Sequence, residues 1–464
     1  MNLELYGKAI DLKRFMLFVA APLACCAVAA VMFLPASFMR LALMLLFALP
    51  FVFLCVDRPA IIFYLVILIL FSNLDVYAPF RLYRYAVIFL LASFAIAVAN
   101  GRRIVTHHPH LIALAFAFVI LAFQSLSVAR EYGLAARKLG AFIKVLIAVV
   151  IVVQFTRDRK EFRRFLLVLV GGILLSDYLP FIVHPPGRFA SLSMLWSQGI
   201  VRYEGFVFEP NTFALFQLFL IPVLIFFAGA YRKPRIARPF FAFLIIASIG
   251  VLALSFSRGG FVGLACLLLT LVVVERRNKP LFLFGLSLIA ASIVFIPGVY
   301  WERIGSVFDF ATKRSGDFAI WTRLETMRVA LRLGLAHPLL GVGIDNFLPS
   351  AAYFIPIGLT VHSMFLQIFS ELGFVALSLF IGIIICNFRI IRRMMKNESD
   401  PEVAQIGRAL FIQHIAMLVS SIFLPVLFDM IVWFMLALPA IAEHAYRSES
   451  RSEGAVPSVS IGRK

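Results

Sequence analysis

Residues 239–279 read PFFAFLIIASIGVLALSFSRGGFVGLACLLLTLVVVERRNK. Two apolar stretches, 239–256 and 259–275, flank a short Ser-Arg-Gly-Gly turn, and a basic loop follows. Each stretch has about the length a helix needs to cross a hydrocarbon layer of roughly 30 Å. Neither interrupts its apolar residues with charges every third or fourth position, as a water-facing amphipathic helix would. The pattern repeats outward in both directions. Apolar runs lie near 15–34, 38–56, 59–73, 83–99, 110–128, 140–156, 164–183, 211–230, 239–256, 259–275, 280–297, 363–388, 407–427 and 430–446. The chain has 464 residues, 62% hydrophobic and 14% charged, with 50 phenylalanines. That leaves too little polar surface to cover a soluble fold of this size. The sequence therefore predicts an all-α polytopic membrane protein with about 12–14 transmembrane helices.

The charges sort by loop. With a cytoplasmic N-terminus, the loops after even-numbered runs read NGRR (100–103), TRDRKEFRR (156–164), YRKPRIAR (231–238), ERRNK (275–279) and FRIIRRMMK (388–396). All are basic, as cytoplasmic loops tend to be. Much of the net charge of +19 is explained in this way, so no nucleic-acid partner is implied. The five cysteines, Cys25, Cys26, Cys55, Cys266 and Cys386, sit in apolar runs and suit packing better than a disulfide framework. The first apolar run is too long for a cleaved leader and is expected to stay as a helix. Three regions are expected: an N-terminal bundle over 1–183, a second region over 184–447, and a polar cytoplasmic tail over 448–464.

The opposite face receives two long connections, about 184–210 and about 298–361, and long loops on a rigid scaffold often carry chemistry. Both contain arginine on the side where it is least expected: Arg188 and Arg202, then Arg303, Arg314, Arg323, Arg328 and Arg332. Arg258 joins them from the turn after the ninth run. Stray arginines are one reading; an anionic ligand at the outer face is the sharper one. At Ser255-Phe-Ser257-Arg258-Gly259-Gly260 a helix start, two glycines and a guanidinium together suit a phosphate, although a plain tight turn would look the same. Arg202-Tyr203-Glu204-Gly205 leads to Glu209-Pro210-Asn211, where Asn211 can cap a helix and the carboxylates can form ion pairs or part of a site. Residues 321–336 read as an amphipathic helix with Arg328 and Arg332 on one face, suited equally to lipid head groups. A turn-rich stretch, His337-Pro-Leu-Leu-Gly341-Val-Gly343-Ile-Asp345-Asn346-Phe347, follows. His362 then opens an apolar run that includes Gln367 and Glu371. A histidine there can serve as a general base or be structural, and a carboxylate within an apolar run is a default functional candidate. On a continuous helix Glu371 would fall about opposite His362, so the two are not expected to form a dyad.

In order and spacing these four segments resemble the O-antigen ligase and Wzy-type polysaccharide polymerase superfamily, over roughly 200–375. Two departures from its common pattern are Ser363 after the histidine and Glu209 before Pro-Asn. The resemblance implies a GT-C-like fold with one large periplasmic loop containing short amphipathic helices. It implies a metal-independent, cofactor-free glycosyltransferase of a bacterial inner membrane, both termini cytoplasmic. The donor would be a glycan on undecaprenyl pyrophosphate. The acceptor would be a second lipid-linked glycan for a polymerase, or lipid A–core for a ligase. Arg202 and Arg258 would clamp the pyrophosphate and His362 would take the acceptor proton, with Glu209, Asn211, Arg323, Arg328 and Glu371 as substrate-binding candidates. A chain-length regulator and other assembly proteins would be partners. The Glu-Pro-Asn form and the short, basic second loop look more like the exopolysaccharide branch. A lipid-glycan transporter and a non-catalytic scaffold remain alternatives; the first usually shows two related halves with a midplane site, and none is evident.

Overall fold

The computed structural model describes residues 3–5, 8–10, 58–74, 83–102, 104, 108–183, 194–195, 200–201, 203–207, 209–231, 235–295, 318–354 and 360–453. The expected runs near 15–34 and 38–56, the tail beyond 453, and Arg188, Arg202, Arg303 and Arg314 lie outside them. The helices are α1 (Pro59–Ser72), α2 (Tyr83–Ala99), α3 (Pro109–Gln124), α4 (Tyr132–Phe155), α5 (Arg159–Val183), α6 (Pro210–Ala230), α7 (Ala237–Leu254), α8 (Arg258–Val274), α9 (Lys279–Phe295), α10 (Phe318–Ala336), α11 (Phe347–Ala351), α12 (Met364–Met395), α13 (Pro401–Ser421) and α14 (Met430–Glu453). Two minimal antiparallel ribbons accompany them, Leu3–Leu5 with Lys8–Ile10 and Met194–Leu195 with Ile200–Val201. Every other expected apolar run falls on one of these helices. Among the described residues, six stretches are long and apolar enough to cross a bilayer: Pro109–Val128, Tyr132–Phe155, Pro210–Ala230, Ala237–Leu254, Met364–Met395 and Pro401–Ser421. The chain is an all-α polytopic membrane protein.

Two compact units are present, one of Met1–Val66 with Ile88–Arg103, the other of Ile67–Val87 with Ile104–Lys464. In the first, Ser93 Oγ donates to the Pro59 carbonyl at 2.7 Å, joining α2 to α1. The second contains every described site residue.

The centre of the second unit is α6. Phe213 through Phe227 are buried without a break. Lipid tails are as apolar as these side chains, so helix association in a bilayer rests on close packing more than on escape from water. The packing is close where α6 meets α8. A Cβ on Gly260 would fall 2.4 Å from the Ala214 Cβ, so the two backbones meet only because residue 260 has no side chain. On the other flank of α8, Ser420 Oγ of α13 donates to the Gly259 carbonyl at 3.0 Å.

Contacts sort the turns into two ends. At one end the acidic residues meet the basic loops: Arg163 with Glu402, Arg159 with Asp400, Arg408 with Glu275 at 2.7 Å, and Arg393 with Glu443 at 3.4 Å. Loops 156–164, 275–279 and 388–396 therefore share this end, as their common basic character predicts. The turns that carry the site candidates gather at the other end.

Candidate functional site

The first group of site residues forms where α6 and α8 begin. Glu209 is the N-cap of α6, and its carboxylate accepts from the Thr212 amide. Its other oxygen accepts from Asn211 Nδ2 at 2.8 Å. Asn211 Oδ1 in turn accepts from Ser257 Oγ at 2.8 Å. Ser257 caps α8, accepting from the Gly260 amide at 3.1 Å, so Arg258 is the first residue of that helix. One hydrogen-bonded line thus joins the Glu-Pro-Asn and Ser-Arg-Gly-Gly segments, which lie 46 positions apart. Cap side chains satisfy amides that would otherwise be orphaned at these ends. Phe256, just before the cap, holds a left-handed backbone (φ 49°), a conformation that is uncommon outside glycine. Tyr203 pins the preceding segment: its amide donates to the Leu254 carbonyl at 2.9 Å and its hydroxyl to the Asp177 carbonyl.

Thr212 extends the line. Its hydroxyl donates to Asp429 Oδ2 at 2.7 Å, in the turn between α13 and α14. Burial pushes the Asp429 carboxyl up to about 6, with the nearby Glu209 carboxylate adding to the effect and the Thr212 hydrogen bond opposing it.

The second group surrounds the start of α12. Ser363 caps that helix and His362 directly precedes it. Burial, and next the Arg323 guanidinium on α10, hold the His362 imidazole down to about 4. The imidazole is therefore neutral at ordinary pH and retains a lone pair. The α10 face that includes Val329, Ala330 and Leu333 packs with Val342, Phe347, Ala351 and Val361, which fixes α10 against the entry to α12. Its outer side is also apolar, with Trp321, Leu324, Leu331 and Leu335 exposed. Arg328, 75% exposed, pairs with Glu325 at 3.2 Å, and Arg332 lies 4.7 Å from the Phe354 ring. Arg323, not Arg328, is the α10 arginine whose charge reaches His362.

Glu371 faces inward. It is buried, and its carboxylate accepts from the Asp345 amide at 3.1 Å. α12 breaks at Gly373 (φ 83°, ψ −179°). The break frees the Ser370 and Glu371 carbonyls to accept from Val342 and Gly343 at 2.9 and 3.0 Å. Glu371 and Gly373 thus moor the His337–Phe347 turn to the helix that His362 opens. The same turn is held from a third side by buried Asn346, whose Oδ1 accepts from the Glu131 amide at 2.7 Å, and by Ser125 Oγ, which accepts from Ile344 at 3.1 Å.

Lys138 on α4 stands between the two groups. Its ammonium lies 3.5 Å from Asp345 and 5.4 Å from the centre of the Phe428 ring, beside Asp429 in sequence. Lys138, Asp429 and Asn346 are absent from the sequence-derived candidates. The signal available for Lys138 and Asp429 was a charge at the edge of an apolar run. Asn346 lay within a quoted turn and had no signal of its own.

One comparison with known protein families bears on part of the chain. Residues 241–381 match the family model described as O-antigen ligase. Over these residues the chain is similar to that family. The ligase-family region contains Arg258, Arg323, Arg328, His362 and Glu371, and it supports the superfamily that the motifs resemble. Glu209 and Asn211 precede it, yet hydrogen bonds tie them to Ser257 inside it. No curated protein matches the chain. The match supports a function of the ligase or polymerase type in broad terms.

Proposed function

We propose that this protein is a glycosyltransferase of the bacterial inner membrane, its termini in the cytoplasm, that joins undecaprenyl-pyrophosphate-linked oligosaccharide units into a polysaccharide at the periplasmic face. The observations that carry the proposal are a helix headed by Arg258 and moored through Ser257 and Asn211 to Glu209, a neutral His362 beside Arg323, and Lys138 linking the turns of the two groups through Asp345 and Asp429.

In this reading the acceptor hydroxyl oxygen attacks the anomeric carbon of the donor. The bond from that carbon to the pyrophosphate oxygen breaks, and the lipid pyrophosphate leaves with the electron pair. The proton passes to His362. Charge grows on the leaving pyrophosphate, so fixed donors aimed there lower the barrier most. Arg258, at the positive end of α8, supplies a planar fork that matches phosphate geometry, and Arg202 supplies a second. No resident metal is needed for this step. A bound pyrophosphate also offsets the Arg323 charge and raises the proton affinity of His362 as the proton arrives. Glu209 and Asn211 hold the cap from which Arg258 projects, and Glu371 holds the turn behind His362; both are positioning roles. Arg328 lies on the exposed side of α10, where it can meet the glycan or lipid head groups. A chain-length regulator and other assembly proteins would be its partners.

The test is the lipid-linked species that accumulates in cells lacking the protein. A single repeat unit on the carrier is expected. A finished polymer on the carrier would make the protein a ligase acting on lipid A–core. Transport is separated from chemistry by supplying donor and acceptor directly to the purified protein. If Arg258→Ala blocks movement of lipid-linked units across the membrane but leaves joining intact, the enzyme reading fails.

A further inference from the structure

At the end of the bundle away from the candidate site, a cavity of about 570 Å³ opens among α6, α7, α9 and α13. Its wall is mostly hydrocarbon, including Ile225, Ala242, Ile245, Leu281, Phe284 and Ile412. The size is that of a small-molecule site, roughly 300–1,000 Å³. Polar groups are confined to a few points. Arg408 and Glu275 line the cavity and neutralise each other at 2.7 Å, with the Glu275 carboxylate buried. Gln405 also lines it, and its amide is spent on the Phe226 carbonyl at 3.2 Å. Arg238 is the lining cation left over: it is exposed and has no ion-pair partner among the described residues. Exposed Arg235, Arg276 and Arg277 lie in the two turns that border the cavity, and exposed Lys279 opens α9 beside them.

The hydrocarbon stretch of this wall offers water none of the two to four polar partners it needs. Left empty, the cavity lining would forfeit dispersion contacts. In a bilayer the filler at hand is an acyl chain, and the surplus of positive charge at this end selects its head group. We propose that this cavity holds an acyl chain of an anionic phospholipid, with the lipid phosphate at Arg238. The site would be distinct from the glycan site and would bind whether or not donor is present. Its occupant braces α6 and α13, the two helices from which Thr212 and the Asp429 turn extend at the other end.

The full-length protein, purified in mild detergent, is examined by native mass spectrometry after equilibration with phosphatidylglycerol or phosphatidylcholine. One phosphatidylglycerol should be retained in clear preference to phosphatidylcholine. Arg238→Ala should weaken phosphatidylglycerol about five- to tenfold, and Arg238→Lys should restore most of it. Ala242→Trp should exclude both lipids by filling the cavity; Ala242→Leu serves if the larger residue prevents folding. Glycerol phosphate, which has the charge and no acyl chain, should not compete. Equal retention of the two lipids, an Arg238→Ala variant that binds as wild type, or undiminished lipid on both Ala242 variants would each overturn the proposal. Competition by glycerol phosphate would reduce it to a bare phosphate site. None of these outcomes bears on Arg258 or His362, so failure here leaves the glycosyltransferase reading untouched.

Discussion

Replacing Gly373 with alanine places a methyl group where α12 breaks against the His337–Phe347 turn. The backbone there has φ 83° and ψ −179°, a region open essentially only to glycine. An added Cβ would fall 2.4 Å from the Leu339 carbonyl oxygen and 2.7 Å from that of Pro338. Both obstacles are main chain and cannot rotate aside. The backbone strain alone is worth about 1–3 kcal/mol. Displacing the turn also endangers three hydrogen bonds: Phe374 to Pro338 at 2.7 Å, Val342 to Ser370 at 2.9 Å and Gly343 to Glu371 at 3.0 Å. At about 0.5–1.5 kcal/mol each, the whole penalty is on the order of 3–7 kcal/mol. That is a large part of the stability of an ordinary domain, roughly 5–15 kcal/mol. Thermal unfolding in detergent should register a large loss, and glycan joining should fall with it because His362 shares the helix. Gly250→Ala is the control. Gly250 is helical and exposed, with no atom within 4 Å of the added Cβ, so alanine there should be neutral or stabilising by about 0.5–1 kcal/mol. If Gly373→Ala melts with the wild type and joins glycans at the wild-type rate, the break in α12 does not position the site.

Four further outcomes follow from the same geometry. His362 sits at about 4 in the folded protein against an ordinary 6.5. Below pH 6.5 the unfolded chain gains a proton that the native state refuses, so stability is full above that pH and falls toward pH 4. Unfolding at pH 7 and pH 5 should show a smaller acid loss in His362→Gln than in wild type, and equal losses would sink the assignment. The same substitution should lower the joining rate about 10²–10⁴-fold with donor KM little changed, as loss of a general base does. Arg258→Lys keeps the charge and loses the fork, so kcat/KM should drop about 10- to 100-fold, equivalent to ~1.5–3 kcal/mol, while unfolding is unchanged; an activity equal to wild type would exclude a bidentate clamp. Lys138→Met removes the cation between Asp345 and Asp429 and should shift the low-pH limb of activity without unfolding the protein; a pH profile that superimposes on wild type would deny Lys138 any part in the site.

The membrane and the helices were readable in residues 239–279 and their repeats. Hydropathy and basic loops report on the solvent at each depth, and that solvent acts on each segment locally. Ser257-Arg258, Glu209-Pro-Asn211 and His362 stood out as candidates, because each stands at the boundary between an apolar run and a polar turn. Their partnerships did not. Ser257 finds Asn211 because residue 260 lacks a side chain and lets α8 press onto Ala214, a fit that hydropathy does not record. The run 363–388 reads as one uninterrupted helix, yet the turn before it supplies the amides that stabilise a break at Gly373 and draw Glu371 inward. Arg323 gains its hold on His362 only when α10 docks on α12. Lys138, Asp429 and Asn346 become site residues only by meeting partners far along the chain. The sequence by itself determined which segments are apolar enough to enter a membrane, since that depends on each residue's own transfer energy. Tertiary structure alone decided which polar groups meet, since that depends on shape and on the need of every buried donor for an acceptor.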